Sequence, residues 1–292
     1  MAVIDIGTNS TRLLVADVSV SGRVDPVYTE LKTTRLGHGI EGGVLLPGAV
    51  SRTVGAVAEM KEKAAGMSAS VIVAAATSAV RDAANRDWFV EDVLRQTGVS
   101  VRVLDGQEEA CMSYLGVTAE FGDNLASTVV VDIGGGSTEF TWRSDGEMRC
   151  RSVNAGAVRM TEGGHDDGKI LDIMKEALDE VRGDRPRQLM GVGGTVTTLA
   201  AMEMGLKVYD RSLVNGYTLT RAGIYRLLDM LVKAGPEGRK AIPGLQPARA
   251  DIIVAGVRIL LLIMKCLEIE EIRVSEADLM YGLAIEEIKL SK

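Results

Sequence analysis

At 292 residues, 46% of them hydrophobic and 25% charged, the chain has the make-up of a globular protein of about two domains, which excludes a disordered or a fibrous one. Its 40 acids against 33 lysines and arginines leave a net charge of −7, so general affinity for nucleic acid or an anionic membrane is not expected, and an anionic ligand must meet a local positive site. Cys111, Cys150 and Cys266 form no CxxC pair and His38 and His165 are the only histidines; this argues against a disulfide framework, a structural zinc or a multi-histidine centre, points to a reducing cytoplasm, and leaves carboxylates to hold any metal.

The opening Met1-Ala-Val-Ile-Asp5 is an apolar strand cut short by an acid, without the charged and apolar regions of a signal peptide. Strands are expected at 2–4 and 12–18, joined by Asp5-Ile-Gly-Thr-Asn-Ser-Thr11 and continuing past Ser21-Gly22 into a third extended segment. A helix at 47–66, a strand at 71–75, a helix at 87–97, a strand at 99–104 and a helix at 107–121 follow, which is α/β order. The hairpin pattern then returns: strands at 128–131 and 139–143 flank Asp132-Ile-Gly-Gly-Gly-Ser-Thr138, and Ser144-Asp145-Gly146 turns into a third segment. Beyond it come helices at 169–181, 195–204 and 221–232 with a strand at 188–192. A long apolar helix at 248–267, a strand at 271–274 and a last helix at 276–288 close the chain. The most apolar run, 252–264, carries Arg258 and is too short and too charged to span a bilayer. No low-complexity linker interrupts the sequence, and the domain boundary is expected within 116–123.

The two copies of the Asp-Ile-Gly turn agree at Asp, Ile, Gly, Ser and Thr, so the chain reads as two similar halves. Small residues at a tight strand turn let backbone amides converge on an anion, while the hydroxyls of Thr8, Ser10 and Ser137 and the amide of Asn9 add hydrogen bonds; this suits phosphate. Either turn alone could be an ordinary glycine hairpin. An acid two residues before each glycine, at a buried strand end, calls for a cation, a water or loop amides. A third loop, Gly191-Val-Gly-Gly-Thr-Val-Thr-Thr198, follows a strand and opens a helix, which makes a further anion site.

The ordered set Asp5-Ile-Gly-Thr-Asn-Ser, Thr77-Ser-Ala-Val-Arg-Asp-Ala, Gly106-Gln-Glu-Glu-Ala, Asp132-Ile-Gly-Gly-Gly-Ser-Thr-Glu139 and Gly191-Val-Gly-Gly-Thr resembles the exopolyphosphatase and guanosine pentaphosphate phosphohydrolase family. Arg249-Ala-Asp-Ile-Ile and Val274-Ser-Glu resemble its closing motifs, so the match spans essentially the whole chain. The resemblance implies an α/β fold of duplicated ribonuclease-H-like, actin-like ATPase domains, with phosphate handled in the cleft between them. Residues 1–118 with a C-terminal helix at 276–292 would form the first half and 119–275 the second. Long members carry extra C-terminal helical domains, whereas this sequence resembles the short, two-domain type.

By the same resemblance, Glu109 would position or deprotonate the attacking water, with Glu139 beside it in catalysis. Asp5, Asp132 and Glu139 would serve Mg²⁺ or Mn²⁺. Arg81 and, near the cleft, Arg35 would face the substrate, together with Thr8, Asn9, Ser10, Gly134, Gly135, Gly136, Ser137, Gly193, Gly194 and Thr195 of the three loops. A water attacking a terminal phosphorus does need an acceptor, and the phosphoryl oxygens need cations and amide donors. The reaction expected is hydrolytic release of terminal phosphate from inorganic polyphosphate, with guanosine pentaphosphate the alternative substrate. A small-molecule kinase of the same fold is the second class, against which Glu109 argues, and a sensor without turnover is the third. The sequence leaves monomer or homodimer open.

Overall fold

The structure, a computed structural model, describes residues 1–122, 125 and 127–290. Asp123, at the end of the expected boundary segment, and residues 291–292 of the expected C-terminal segment lie outside the described residues. The chain divides into two compact units, Met1–Asp123 with Ala277–Lys292, and Asn124–Glu276.

The first unit opens with β1 (Ala2–Ile6), β2 (Thr11–Val18) and β3 (Val24–Lys32), an antiparallel meander. Then come α1 (Pro47–Gly66), β4 (Ile72–Ala76), α2 (Ser78–Arg81), α3 (Arg86–Thr97), β5 (Val101–Val103) and α4 (Gly106–Phe121). The sheet order is β3-β2-β1-β4-β5, with β4 and β5 parallel to β1. The second unit repeats the scheme. A meander of β6 (Thr128–Ile133), β7 (Thr138–Ser144) and β8 (Glu147–Val153) is followed by α5 (Ala157–Glu162), α6 (Asp167–Gly183), β9 (Gln188–Val192), α7 (Gly194–Glu203), α8 (Arg211–Val214) and β10 (Thr218–Thr220). It ends with α9 (Arg221–Arg239), α10 (Ile253–Cys266) and β11 (Glu271–Val274), before α11 (Leu279–Leu290) rejoins the first unit. Its order, β8-β7-β6-β9-β11-β10, matches the first sheet strand for strand before adding an edge. The expected duplicated α/β fold is what forms.

Strand alternation decides which side chains reach the site. In β1, Ala2, Ile4 and Ile6 pack into one core with α1 and α3, while Val3 joins α11 on the opposite face. Asp5 shares the parity of Val3, so it emerges on the α11 face. In β6, Val129, Val131 and Ile133 enter the core of the second unit and Asp132 takes the other face.

Three boundaries differ from the sequence reading for local reasons. The apolar helix expected at 248–267 begins only at Ile253, because the Ala250 carbonyl is taken by Arg239 Nη1 at 3.2 Å and Pro247–Arg249 tighten into a 3-10 turn. The helix expected from 276 starts at Leu279, since Asp278 Oδ1 accepts the Met280 amide at 3.0 Å and sets the start of the helix there. Beyond 232, α9 continues to Arg239 with a break at Gly235 before Pro236. The short elements α2, α5, α8 and β10 are too brief to leave a periodic signal.

Candidate active site

In each unit the chemistry-bearing residues follow the C-terminal ends of adjacent parallel strands, where ligands of open α/β sheets bind. In the first, β1 delivers Asp5 and the Gly7 turn, β4 delivers Thr77 and α2 with Arg81, and β5 delivers Asp105 and the start of α4. In the second, β6 delivers Asp132 and the Gly134 turn, β9 the Gly193 loop, and β11 Ser275 and Glu276.

The two turns close with the same bond. Gly7 N–H donates to the Ser10 carbonyl and Gly134 N–H to the Ser137 carbonyl, both at 3.0 Å. Behind the first turn, the amides of Arg35 and Gly37 donate to the carbonyls of Asn9 and Thr8, each at 2.8 Å. Arg35 is held at a φ of +51°, a left-handed conformation that costs a non-glycine residue ~1–2 kcal/mol. The segment is thus laced along the turn, and Arg35 is placed next to Thr8, Asn9 and Ser10. Behind the second turn, Ala157 and Val158 amides bind the carbonyls of Gly134 and Gly135 at 3.0 and 2.8 Å, and Arg159 Nε binds that of Gly136 at 2.9 Å. With the Gly134 amide closing the turn and its carbonyls engaged from behind, Gly135 and Gly136 are the residues whose amides could meet an anion.

Each aspartate has a ladder partner. Asp5 is paired in register with Arg12, and Asp132 with Glu139. Arg12 donates to Asp5 Oδ2 from Nε at 2.8 Å and lies 2.7 Å from it through Nη2. Asp5 is 4% exposed, and its Oδ1 has no hydrogen-bond partner among the described residues. Burial pushes the Asp5 carboxyl above its ordinary range despite Arg12, which acts the other way. Glu139, 1% exposed, accepts from Ser152 Oγ through Oε1 at 2.7 Å.

Glu108 and Glu109 divide their work. Glu108 completes a capping box with Asp105, accepting the Asp105 amide at 2.9 Å, and lies 2.7 Å from Arg102. Glu109, 7% exposed, points the other way and accepts from Arg81 Nη1 at 2.6 Å through Oε2. A second bond at 3.2 Å ties the Arg81 guanidinium to the Leu104 carbonyl. The two residues read separately from sequence, an acceptor for water and a cation for phosphate, are therefore one ion pair.

In the third loop, Gly193 has a φ of +87° and leaves no room for a side chain: a Cβ there would sit 2.6 Å from Asp132 Oδ1. A Cβ on Gly194 would collide with the Arg249 guanidinium, 1.8 Å from Nη1. Thr195 is buried against Gly256, and the loop passes close to Asp132 at Gly193 and to Arg249 at Gly194. Arg249, Ser152 and Arg12 carry no role in the sequence reading. The seven-residue spacing from Asp5 to Arg12, equal to that from Asp132 to Glu139, was the available signal for Arg12. Glu276 is also anchored here: it accepts from Tyr209, its amide donates to Asn215 Oδ1 at 3.0 Å, and Arg211 Nη2 reaches its carbonyl at 3.3 Å.

Residues 14–290 match the model of the Ppx/GppA phosphatase family. The chain belongs to that family. It is 33% identical over 310 residues to exopolyphosphatase 2 of Mycobacterium tuberculosis, covering 98% of this chain and 97% of that protein. Among solved structures it resembles an exopolyphosphatase from Cytophaga hutchinsonii with a TM-score of 0.91 and 26% identity, covering 100% and 98% of the two chains. A Ppx/GppA family member from Aquifex aeolicus gives a TM-score of 0.78 at 29% identity, again over 100% and 98%. The fold is accordingly the duplicated actin-like ATPase fold. No helix among the described residues is long and apolar enough to cross a membrane.

Proposed function

We propose that this phosphatase-family chain is a divalent-cation-dependent exopolyphosphatase that releases the terminal phosphate of inorganic polyphosphate to water. The observation that carries the reading is the buried Glu109 carboxylate, held at the first turn of α4 by Arg81. A carboxylate so fixed can accept the proton of a water attacking phosphorus, and the guanidinium beside it can hold a phosphoryl oxygen. The amides of the Gly7 turn, in the same unit, offer donors of the kind that phosphoryl oxygens need. The P–O bond to the bridging oxygen breaks, orthophosphate departs, and the shortened polymer keeps the bridging oxygen.

The residues fit a hard cation. No cluster of three or more metal-binding side chains occurs among the described residues, but Mg²⁺ characteristically takes one or two carboxylates and completes its shell with water and substrate phosphate. Asp132 and Glu139, opposite one another on the β6–β7 ladder, supply that pair, and the buried Oδ1 of Asp5 is a further carboxylate oxygen of the right chemistry. When bound, Mg²⁺ or Mn²⁺ would neutralise charge on the phosphate oxygens.

The deciding experiment measures phosphate release, with Mg²⁺ and with chelator, from long polyphosphate, tripolyphosphate, guanosine pentaphosphate and ATP. Polyphosphate is expected to rank first; a higher kcat/KM on guanosine pentaphosphate would transfer the reading to that substrate. Glu109→Gln should lower kcat by ~10² or more with polyphosphate binding largely intact. Turnover near the wild-type rate would remove Glu109 from its role.

A further inference from the structure

Asp5 is one corner of a three-residue charge cluster. The Arg12 guanidinium that holds Asp5 Oδ2 also donates, through Nη1, to Oδ2 of Asp278. Asp278 is 5% exposed and lies two residues past the point where the chain re-enters the first unit. It is fixed from other sides as well: Oδ1 accepts the Met280 amide, and its carbonyl accepts the amides of Tyr281 at 3.0 Å and Gly282 at 3.2 Å. That carbonyl is seated on α4, since a Cβ on Gly116 would fall 2.3 Å from it. One turn further along α11, a Cβ on Gly282 would fall 2.0 Å from the Met112 carbonyl. The start of α11 and the helix that carries Glu109 therefore meet backbone to backbone.

The charge count is the informative part. One guanidinium with one carboxylate would suffice to brace a fold, but here two buried carboxylates share one guanidinium, and the second buried acid works against stability. The excess acid is also placed unequally: Oδ2 of Asp5 is saturated by Arg12, and Oδ1 is buried without a hydrogen bond. A carboxylate clamped by one oxygen and open at the other suits a site that takes up positive charge in use.

We infer that Arg12 and Asp278 are positioning residues for hydrolysis: their ion pair fixes the Asp5 carboxylate by Oδ2, so that Oδ1 is the oxygen presented to the cation and its phosphate. This rests on the reading of Asp5 as a carboxylate that serves a divalent cation. Neither residue touches the substrate. They act through Asp5, by holding its carboxylate in one orientation.

The test uses the full chain with Arg12→Gln, Arg12→Lys, Asp278→Asn, Asp5→Asn and, as a control, Leu283→Ala, a buried α11 residue of the same core. Three quantities are read: kcat and KM on polyphosphate, melting temperature, and Mn²⁺ binding by electron paramagnetic resonance in the presence of inorganic phosphate. Arg12→Gln and Asp278→Asn are expected to lower kcat about tenfold and weaken Mn²⁺ binding severalfold, with KM changed less than about threefold. Arg12→Lys should recover part of both losses. Leu283→Ala should lose at least as much thermal stability yet keep kcat within about twofold. Wild-type kcat and Mn²⁺ binding in Asp278→Asn and Arg12→Lys, or equal kcat losses in Leu283→Ala at matched melting temperature, would overturn the inference. If Asp5→Asn alone loses activity and Mn²⁺ binding while the Arg12 and Asp278 variants keep both, the inference falls and the Asp5 reading stands. If Asp5→Asn keeps both, the Asp5 reading falls and takes the inference with it.

Discussion

The two halves carry the same turn, closed by the same hydrogen bond, and differ in what faces the aspartate. Across the ladder from Asp5 stands Arg12; across from Asp132 stands Glu139. In the first half the positive charge is built into the chain, and the outer strand β3 offers Leu31 opposite Arg12. In the second half two acids share one register position, and β8 offers Ser152, whose hydroxyl donates to Glu139. Like charges directly opposite on a sheet are destabilising, so the β6–β7 ladder carries an electrostatic cost at the register position where β1–β2 carries an attraction. The duplicated scaffold carries an opposed acid pair in one half and, in the other, an acid braced by an arginine together with an α4 that holds Glu109 against Arg81.

The largest effects should come from breaking the acid pair. Asp132→Ala or Glu139→Ala should lower kcat by ~10² or more and raise the Mg²⁺ concentration needed for half-maximal activity, since hard cations prefer carboxylate oxygen. Unchanged Mg²⁺ titrations in both variants would show the two halves to be equivalent and erase the comparison.

Next in size is Arg81→Ala, which sharpens what the first half contributes. The guanidinium both neighbours the expected phosphate position and holds Glu109 at 2.6 Å, so its loss should raise KM for polyphosphate about tenfold and also lower kcat, whereas Glu109→Gln should act on kcat alone. Steady-state kinetics of the two variants side by side would separate them; equal KM values would mean that Arg81 serves Glu109 only. Ser152→Ala should cost less, about three- to tenfold in kcat, because it removes one hydrogen bond that orients Glu139 and no charge. Restoration by Ser152→Thr would identify the hydroxyl as the cause.

Much of this division was legible in the sequence, and the reason for the remainder is physical. The Asp-Ile-Gly turns stand out because the same five residues recur in both halves, and the order of strands and helices follows from hydrophobic period, so the two meanders and the α/β order were readable. Gly106-Gln-Glu-Glu stands out as a motif, and its two acids lie on different sides of a helix start. What sequence could not show was partnership across distance. Arg12 reads as an ordinary polar residue of a strand, and the aspartate that completes its ion pairs lies 266 positions away. Arg249 sits in a quoted motif, yet only the near-contact with Gly194 places its guanidinium at the third loop. The helix read from 248 overran because its apolar period continues through 252, while the carbonyl that would extend the helix is occupied by Arg239.

The smallest expected effect is on stability, and it tests whether Asp5 is retained for function. Burial raises the Asp5 carboxyl above the ordinary value of 3.8, the neighbouring Asp278 adds to the rise, and Arg12 opposes it without cancelling it. A carboxyl whose folded-state pKa lies above its unfolded value binds its proton more tightly in the folded chain. Its contribution is fully favourable below pH 3.8 and is lost as the pH rises through the folded value. The ionised form of Asp5 is therefore a burden on the fold. Asp5→Asn removes the excess charge and leaves Arg12 paired with Asp278, so at pH 7.5 the variant should melt at or a few degrees above the wild type while losing activity. Lowering the pH should narrow the gap as the wild-type carboxyl takes up its proton. Glu139→Gln relieves the opposed acids of the second half and should likewise not lower the melting temperature at pH 7.5. A substantial stability loss at neutral pH in Asp5→Asn alone would mean that the Asp5–Arg12 bond braces the fold more than the buried charge strains it, and the first half would then be built for stability where the second is built for chemistry.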